Sequence, residues 1–149
     1  MLRLLKHLRP TSNGGYRRLP TLVLLNGLAE QGESWFHSRP TWQRHFDIQM
    51  PGIMVYDGPV MQERIKSGQP ITVQFLTERL IEFLDKFVQT PPYHLVASSL
   101  GGQIADEYDA SHPEKVGGVV LLCPSGMGCE ERLPVTDKAR HNDYQGLVE

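Results

Sequence analysis

The sequence lacks the marks of several protein classes. It holds only two cysteines, Cys123 and Cys129, and neither stands in a CxxC or in a Cys/His set with metal-ligand spacing. That excludes a disulfide scaffold and reads as two reduced thiols. The six histidines (His7, His37, His45, His94, His112, His141) are scattered and no HExxH occurs, so no metal site is expected. No apolar run approaches about 18 residues, so no membrane-spanning helix is expected. Neither sign of charge dominates: fifteen Lys and Arg face seventeen Asp and Glu, a net of −2, which is no footprint for wrapping nucleic acid. No GxGxxG follows the first apolar run and no GxxxxGK(S/T) occurs anywhere, which weakens a nucleotide-binding reading and leaves no cofactor expected.

What remains is the composition of a globular domain, with 149 residues, 40% hydrophobic and 21% charged. Residues 1–18 form a basic N-terminal segment, with Arg3, Lys6, Arg9, Arg17 and Arg18 and no acid. Met1, Leu4, Leu5 and Leu8 fall at helical spacing, so a small amphipathic helix is expected over the first nine residues. It reads as a start that lays its leucines on the core; a transit peptide or membrane-surface anchor is the other reading. The apolar stretch is too short for a secretory segment, and with the reduced thiols this points to the cytoplasm.

Residues 19–128 alternate between strand and helix patterns. The runs Thr21–Leu25, Ile53–Tyr56, His94–Ala97 and Val116–Cys123 read as strands, and the first, second and fourth are apolar runs, as strands buried on both faces are. Between the second and third, residues 60–70 read as a polar loop. Thr72 then caps a helix with Val73, Leu76, Leu80, Phe83, Leu84 and Phe87 on one face, stopped before Pro91-Pro92. A second helix runs from Ser98 to Ala110. This alternation predicts an α/β fold, a parallel sheet with helices on both faces, the four runs lying in the order second, first, third, fourth. Residues 129–149 read as a polar tail.

The chemistry concentrates in Leu95-Val96-Ala97-Ser98-Ser99-Leu100-Gly101-Gly102. An apolar strand runs into a small-x-Ser-x-Gly turn and then a helix. A serine presented between strand and helix needs a tight, strained turn, and the residues two before and two after it must be small. Here these are Ala97 and Gly101. The pattern makes Ser99 a candidate nucleophile with positive φ, aimed over the carboxyl end of the sheet. The helix start supplies free N–H groups there, and the N–H of Leu100 is the first oxyanion donor. The competing reading is that Ser98 and Ser99 cap the helix and the glycines serve packing.

With this turn in place, the chain from about Pro20 to Gly128 resembles the α/β-hydrolase family. Thr21–Leu25 is similar to the family's third strand. Asn26-Gly27 stands where the family usually has His-Gly, and Gly32-Glu33-Ser34-Trp35 resembles its oxyanion-loop stretch. Ile53–Pro59 resembles strand four and its loop, and His112–Val116 the lead into strand six. The resemblance implies a serine hydrolase of a small-molecule ester or related acyl bond, with Ser99 as nucleophile and the N–H of Leu28 as second oxyanion donor. In the family the acid follows strand seven and the histidine strand eight. By this match the chain stops after strand six, at the start of a lid, so a fragment without acid and histidine is expected. Asp137 and His141 lie downstream of Ser99 in the right order but one helical turn apart, and read better as two solvated residues. A non-catalytic module that binds a ligand or partner is the alternative. A further expectation concerns the last strand: without a seventh, its edge is free and invites self-association.

Overall fold

In a computed structural model, the structure describes residues 8–10, 16–28, 30, 32–53, 58–88 and 90–126. Four parallel strands make the central sheet: β3 (Thr21–Leu25), β4 (Asp47–Gln49), β5 (Tyr93–Ser98) and β6 (Val116–Leu122), in the order β4-β3-β5-β6. Two shorter strands before them, β1 (Leu8–Pro10) and β2 (Tyr16–Arg18), pair antiparallel with each other. Leu8 and Arg9 are therefore extended, which corrects the amphipathic helix expected to reach residue 9; residues 1–7 lie outside the described residues.

The expected parallel sheet is present, but its second member differs. The strand beside β3 is Asp47–Gln49, with Thr21 opposite Asp47 and Val23 opposite Gln49. Ile53 instead lies in a turn, 4% exposed, and belongs to the core. The rest of the expected strand, 54–56, lies outside the described residues. A half-exposed, three-residue edge strand reading polar-apolar-polar carries no apolar run, so it leaves little trace in a sequence.

The helices are α1 (Arg39–Trp42), α2 (Pro59–Lys66), α3 (Val73–Phe83) and α4 (Leu100–Ser111). Helix α2 replaces the polar loop expected over 60–70. Its proline occupies the first turn, where no N–H is needed, and Met61 is its single buried anchor. Arg64 fastens its end: Nε donates to the Pro70 carbonyl at 2.8 Å and the guanidinium lies 3.9 Å from the Phe75 ring centroid. Thr72 caps α3 as expected, its Oγ1 accepting from the Phe75 N–H at 3.1 Å. Leu76, Leu80, Leu84 and Val88 form the buried stripe. The last turn, Leu84–Val88, is a π-helix, and this wider turn brings Val88 inward, leaving Phe87, expected on the apolar face, 65% exposed. No helix among the described residues is long and apolar enough to cross a membrane.

Strand alternation divides the core. Val23, Leu25, Tyr93, Leu95 and Ala97 meet α3 and α4 on one face. Leu22, Leu24 and Val96 meet Trp35, with Trp42 and Phe46 packed alongside, on the other. All five residues of β3 are buried, as its unbroken apolar run requires. At β6 the second face is thinly covered, and Val120 and Leu122 are 53% and 43% exposed. Among the described residues, only β5 pairs with β6.

Candidate active site

Strand β5 delivers the chain to Ser99 and α4 begins at Leu100, so a single residue makes the turn from strand to helix. Ser99 has φ 48° and ψ −116°. The positive φ expected there is present, and ψ lies outside the left-handed helical well. A non-glycine residue in such a conformation costs on the order of 1–3 kcal/mol and must be held by its surroundings. Three backbone bonds hold it. Its N–H donates to the Leu122 carbonyl at 3.0 Å, and its carbonyl accepts from Gly102 at 3.0 Å and from Ser125 at 2.9 Å. The Ser99 side chain makes no helix-capping bond, against the competing reading.

The small residues are needed for closer reasons than spacing alone suggests. Ala97 is fully buried in β5. A Cβ on Gly101 would stand 2.6 Å from the Leu25 carbonyl oxygen and closer still to that of Asn26. A Cβ on Gly102 would stand 2.7 Å from Pro124 Cβ. Thus Gly101 lets α4 approach the end of β3, and Gly102 lets it approach the turn after β6.

The end of β3 carries the second half of the site. A Cβ on Gly27 would lie 3.0 Å from Ser99 Cβ, so this loop rests directly on the serine. The loop is closed on itself. Trp35 Nε1 donates to Asn26 Oδ1 at 2.6 Å, and Asn26 Nδ2 donates to the Glu30 carbonyl at 3.4 Å. Glu30 Oε2 accepts from the Gly27 N–H at 2.8 Å. The amide thus takes up the position usually held by histidine and ties the loop to Trp35. The sequence shows Asn26 in place of the usual histidine and Trp35 in the oxyanion-loop stretch, but it does not point to Glu30. The visible signal was an acid three residues after Asn-Gly, near enough to turn back on it.

Leu28 follows Gly27 in the turn, its side chain 59% exposed. Leu100 is the first residue of α4, whose N–H has no intrahelical acceptor. Among the described residues, neither amide has a partner, and no hydrogen bond joins Ser99 Oγ to another group.

Two of the described histidines lie far from Ser99. His94 is the second residue of β5, five residues before Ser99, roughly 16 Å away along an extended strand, and packs edge-on against Phe46. His112 lies beyond the far end of α4, roughly 18 Å along the helix from Leu100, stacked on Tyr108. Asp57, Asp137 and His141 lie outside the described residues. A cavity of about 480 Å³ opens elsewhere, against Trp42, Phe46, Val96 and Val120, and Ser99 does not line it.

No family model matches the chain. It is 25% identical over 112 residues to the monoacylglycerol lipase ABHD6 of Homo sapiens, covering 72% of this chain and 31% of that protein. With the monoacylglycerol lipase abhd6-B of Xenopus laevis it shares 24% over 121 residues, covering 78% and 34%. The chain thus spans about a third of the length of these relatives. Among solved structures it is similar to a membrane phospholipase A described as a bacterial virulence factor, with TM-score 0.70 and 21% identity, covering 95% of this chain and 49% of that one. It is also similar to MGS-MChE2, an α/β-hydrolase enzyme from the metagenome of lagoon sediments at Mar Chica, Morocco (TM-score 0.62, 20% identity, 95% and 60% covered).

Proposed function

We propose that this chain, which carries part of the α/β-hydrolase fold, is the nucleophile-bearing portion of a serine hydrolase of small-molecule esters. The observation that supports this most is the conformation of Ser99, a strained residue between β5 and α4 with the Gly27 loop packed on it. Ser99 Oγ attacks the ester carbonyl carbon and its proton passes to a base. The carbonyl oxygen takes up the electron pair and is met by the N–H groups of Leu28 and Leu100. Collapse of this intermediate expels the alcohol, and water then releases the acid from Ser99. Monoacylglycerols, which the curated relatives are named for, are the first substrates to try.

A serine hydroxyl without a base is a poor nucleophile at neutral pH. Neither His94 nor His112 reaches Ser99, and among the described residues no side chain is hydrogen-bonded to its Oγ, so no base is in place there. If a base is absent from the chain altogether, oxyanion stabilisation and binding retain only about 10³–10⁴-fold over water. We therefore expect trace hydrolysis of a p-nitrophenyl ester and slow labelling by a fluorophosphonate, with the adduct on Ser99 by mass spectrometry and none in Ser99→Ala. Fast turnover abolished by Ser99→Ala would place the base within the chain, and His141→Ala would test the first suspect. No adduct on Ser99 after prolonged exposure would sink the hydrolase reading. It would favour a non-catalytic binding module, a reading that also fits a Ser99 Oγ without a partner among the described residues.

A further inference from the structure

We propose that Glu30 is the positioning residue of the oxyanion loop, an inference that rests on the roles given above to Ser99 and Leu28. Three bonds knot Glu30 to the two residues at the end of β3. Its Oε2 accepts from the Gly27 N–H at 2.8 Å, its own N–H donates to the Gly27 carbonyl at 3.3 Å, and its carbonyl accepts from Asn26 Nδ2 at 3.4 Å. Gly27 is also the loop's contact with the nucleophile. The point where its Cβ would stand lies 3.0 Å from Ser99 Cβ and 3.2 Å from Glu30 Oε2. Carboxylate, loop backbone and serine converge on one spot.

The physical need for such a clamp follows from Gly27 itself. Glycine has the widest choice of backbone angles, and its angles set where the next amide, that of Leu28, points. An oxyanion donor is effective only when aimed before charge develops. Gly27 has no side chain through which packing could fix it, and it is buried, so its N–H needs an acceptor within the protein. Glu30 Oε2 supplies that acceptor at 2.8 Å. Two features separate this role from simple loop stability: it needs an acceptor oxygen rather than a negative charge, and it needs the full length of the glutamate side chain.

The test uses the full chain with Glu30→Ala, Glu30→Asp and Glu30→Gln. It reads two quantities: the Ser99-dependent rate of fluorophosphonate labelling, and exchange of the Gly27 amide by NMR, with thermal unfolding as the control for folding. Removing an oxyanion donor outright typically costs 10²–10³-fold, and a misaimed one costs less, so Glu30→Ala and Glu30→Asp should slow labelling by roughly 10–100-fold. Both should also speed Gly27 exchange. Glu30→Gln keeps an oxygen at the same reach and should stay within about threefold of the parent rate, with Gly27 still protected. Parent-like labelling and exchange in Glu30→Ala would overturn the proposal, and so would a Glu30→Gln as slow as Glu30→Ala. If Glu30→Ala does not fold, the contrast between Gln and Asp decides. If Ser99→Ala labels like the parent, the hydrolase reading falls instead, and Gly27 exchange alone decides whether Glu30 holds the loop.

Discussion

The backbone of Gly101 runs so close to Leu25 that a side chain on the glycine would press into the Leu25 carbonyl, 2.6 Å from its oxygen. This is where the helix after the serine meets the strand that carries the loop. Backbone lies on both sides, so neither can move aside as a flexible side chain would. We expect Gly101→Ala to destabilise the chain by about 1–3 kcal/mol, as overpacking of a tight site does, and to separate Ser99 from the Gly27 loop. Urea unfolding reads the first and fluorophosphonate labelling the second. A parent-like midpoint would show that the two backbones have room to part.

The buried stripe of α3 and the exposed ring beyond it make a paired test. Leu80 is fully buried, whereas Phe87 is 65% exposed after the π turn. Leu80→Ala should cost about 2–5 kcal/mol, and Phe87→Ala should stay within about 0.5 kcal/mol of the parent. Denaturant titration of both variants checks this, and equal losses would mean that Phe87 packs inward.

Alkaline pH should unfold the chain through its buried phenols. Burial raises the Tyr108 phenol well above its ordinary 10.0, and the neighbouring Tyr93 adds to the shift. Tyr93 is raised too, again mainly by burial. The folded state thus favours the neutral phenols. Their contribution is complete below pH about 10 and is lost as pH climbs through the folded values. Tyr108→Phe keeps the ring stacked on His112 and should move alkaline unfolding upward, leaving neutral stability close to the parent's. Circular dichroism across a pH series reads this, and an unchanged alkaline midpoint in Tyr108→Phe would reject it.

We propose that the outer edge of β6 drives self-association. Among the described residues only β5 pairs with this strand, and Val116–Leu122 holds no charge and no proline. Val120 and Leu122 add half-exposed apolar surface beside the edge. Such an edge is a template for another chain. Size-exclusion chromatography at rising concentration should show oligomers or loss of material, reduced in Val120→Lys. A clean monomer of the parent at high micromolar concentration would contradict it.

The parts of this molecule that were readable in advance are those where one physical demand dominates. Thr21–Leu25 is covered on both faces, so four of its five residues are apolar, and Ser99 with Ala97 and Gly101 obeys a steric rule that few residue types satisfy. Thr72 announces its helix through a capping oxygen. Asp47–Gln49 and Pro59–Lys66 were not readable because each contributes a single inward side chain, or none fully buried, and so shows no period. Phe87 misled because a π turn changes the helical repeat without any mark in composition. Glu30 was hidden for another reason: its bond runs to a backbone amide, and any acid of suitable reach could have made it.

Ser99 is fixed by groups distant in sequence, since its amide and carbonyl are bound by Leu122 and Ser125. The strand before it and the helix after it can begin to form from local contacts, but the serine cannot be held in its strained state until β6 has docked alongside β5. A peptide covering only 93–111 would contain every residue of the motif but keep only one of the three backbone bonds that hold Ser99, the one from Gly102. The turn is therefore completed by a segment more than twenty residues downstream. During synthesis on the ribosome, the nucleophile emerges well before the backbone groups that shape it.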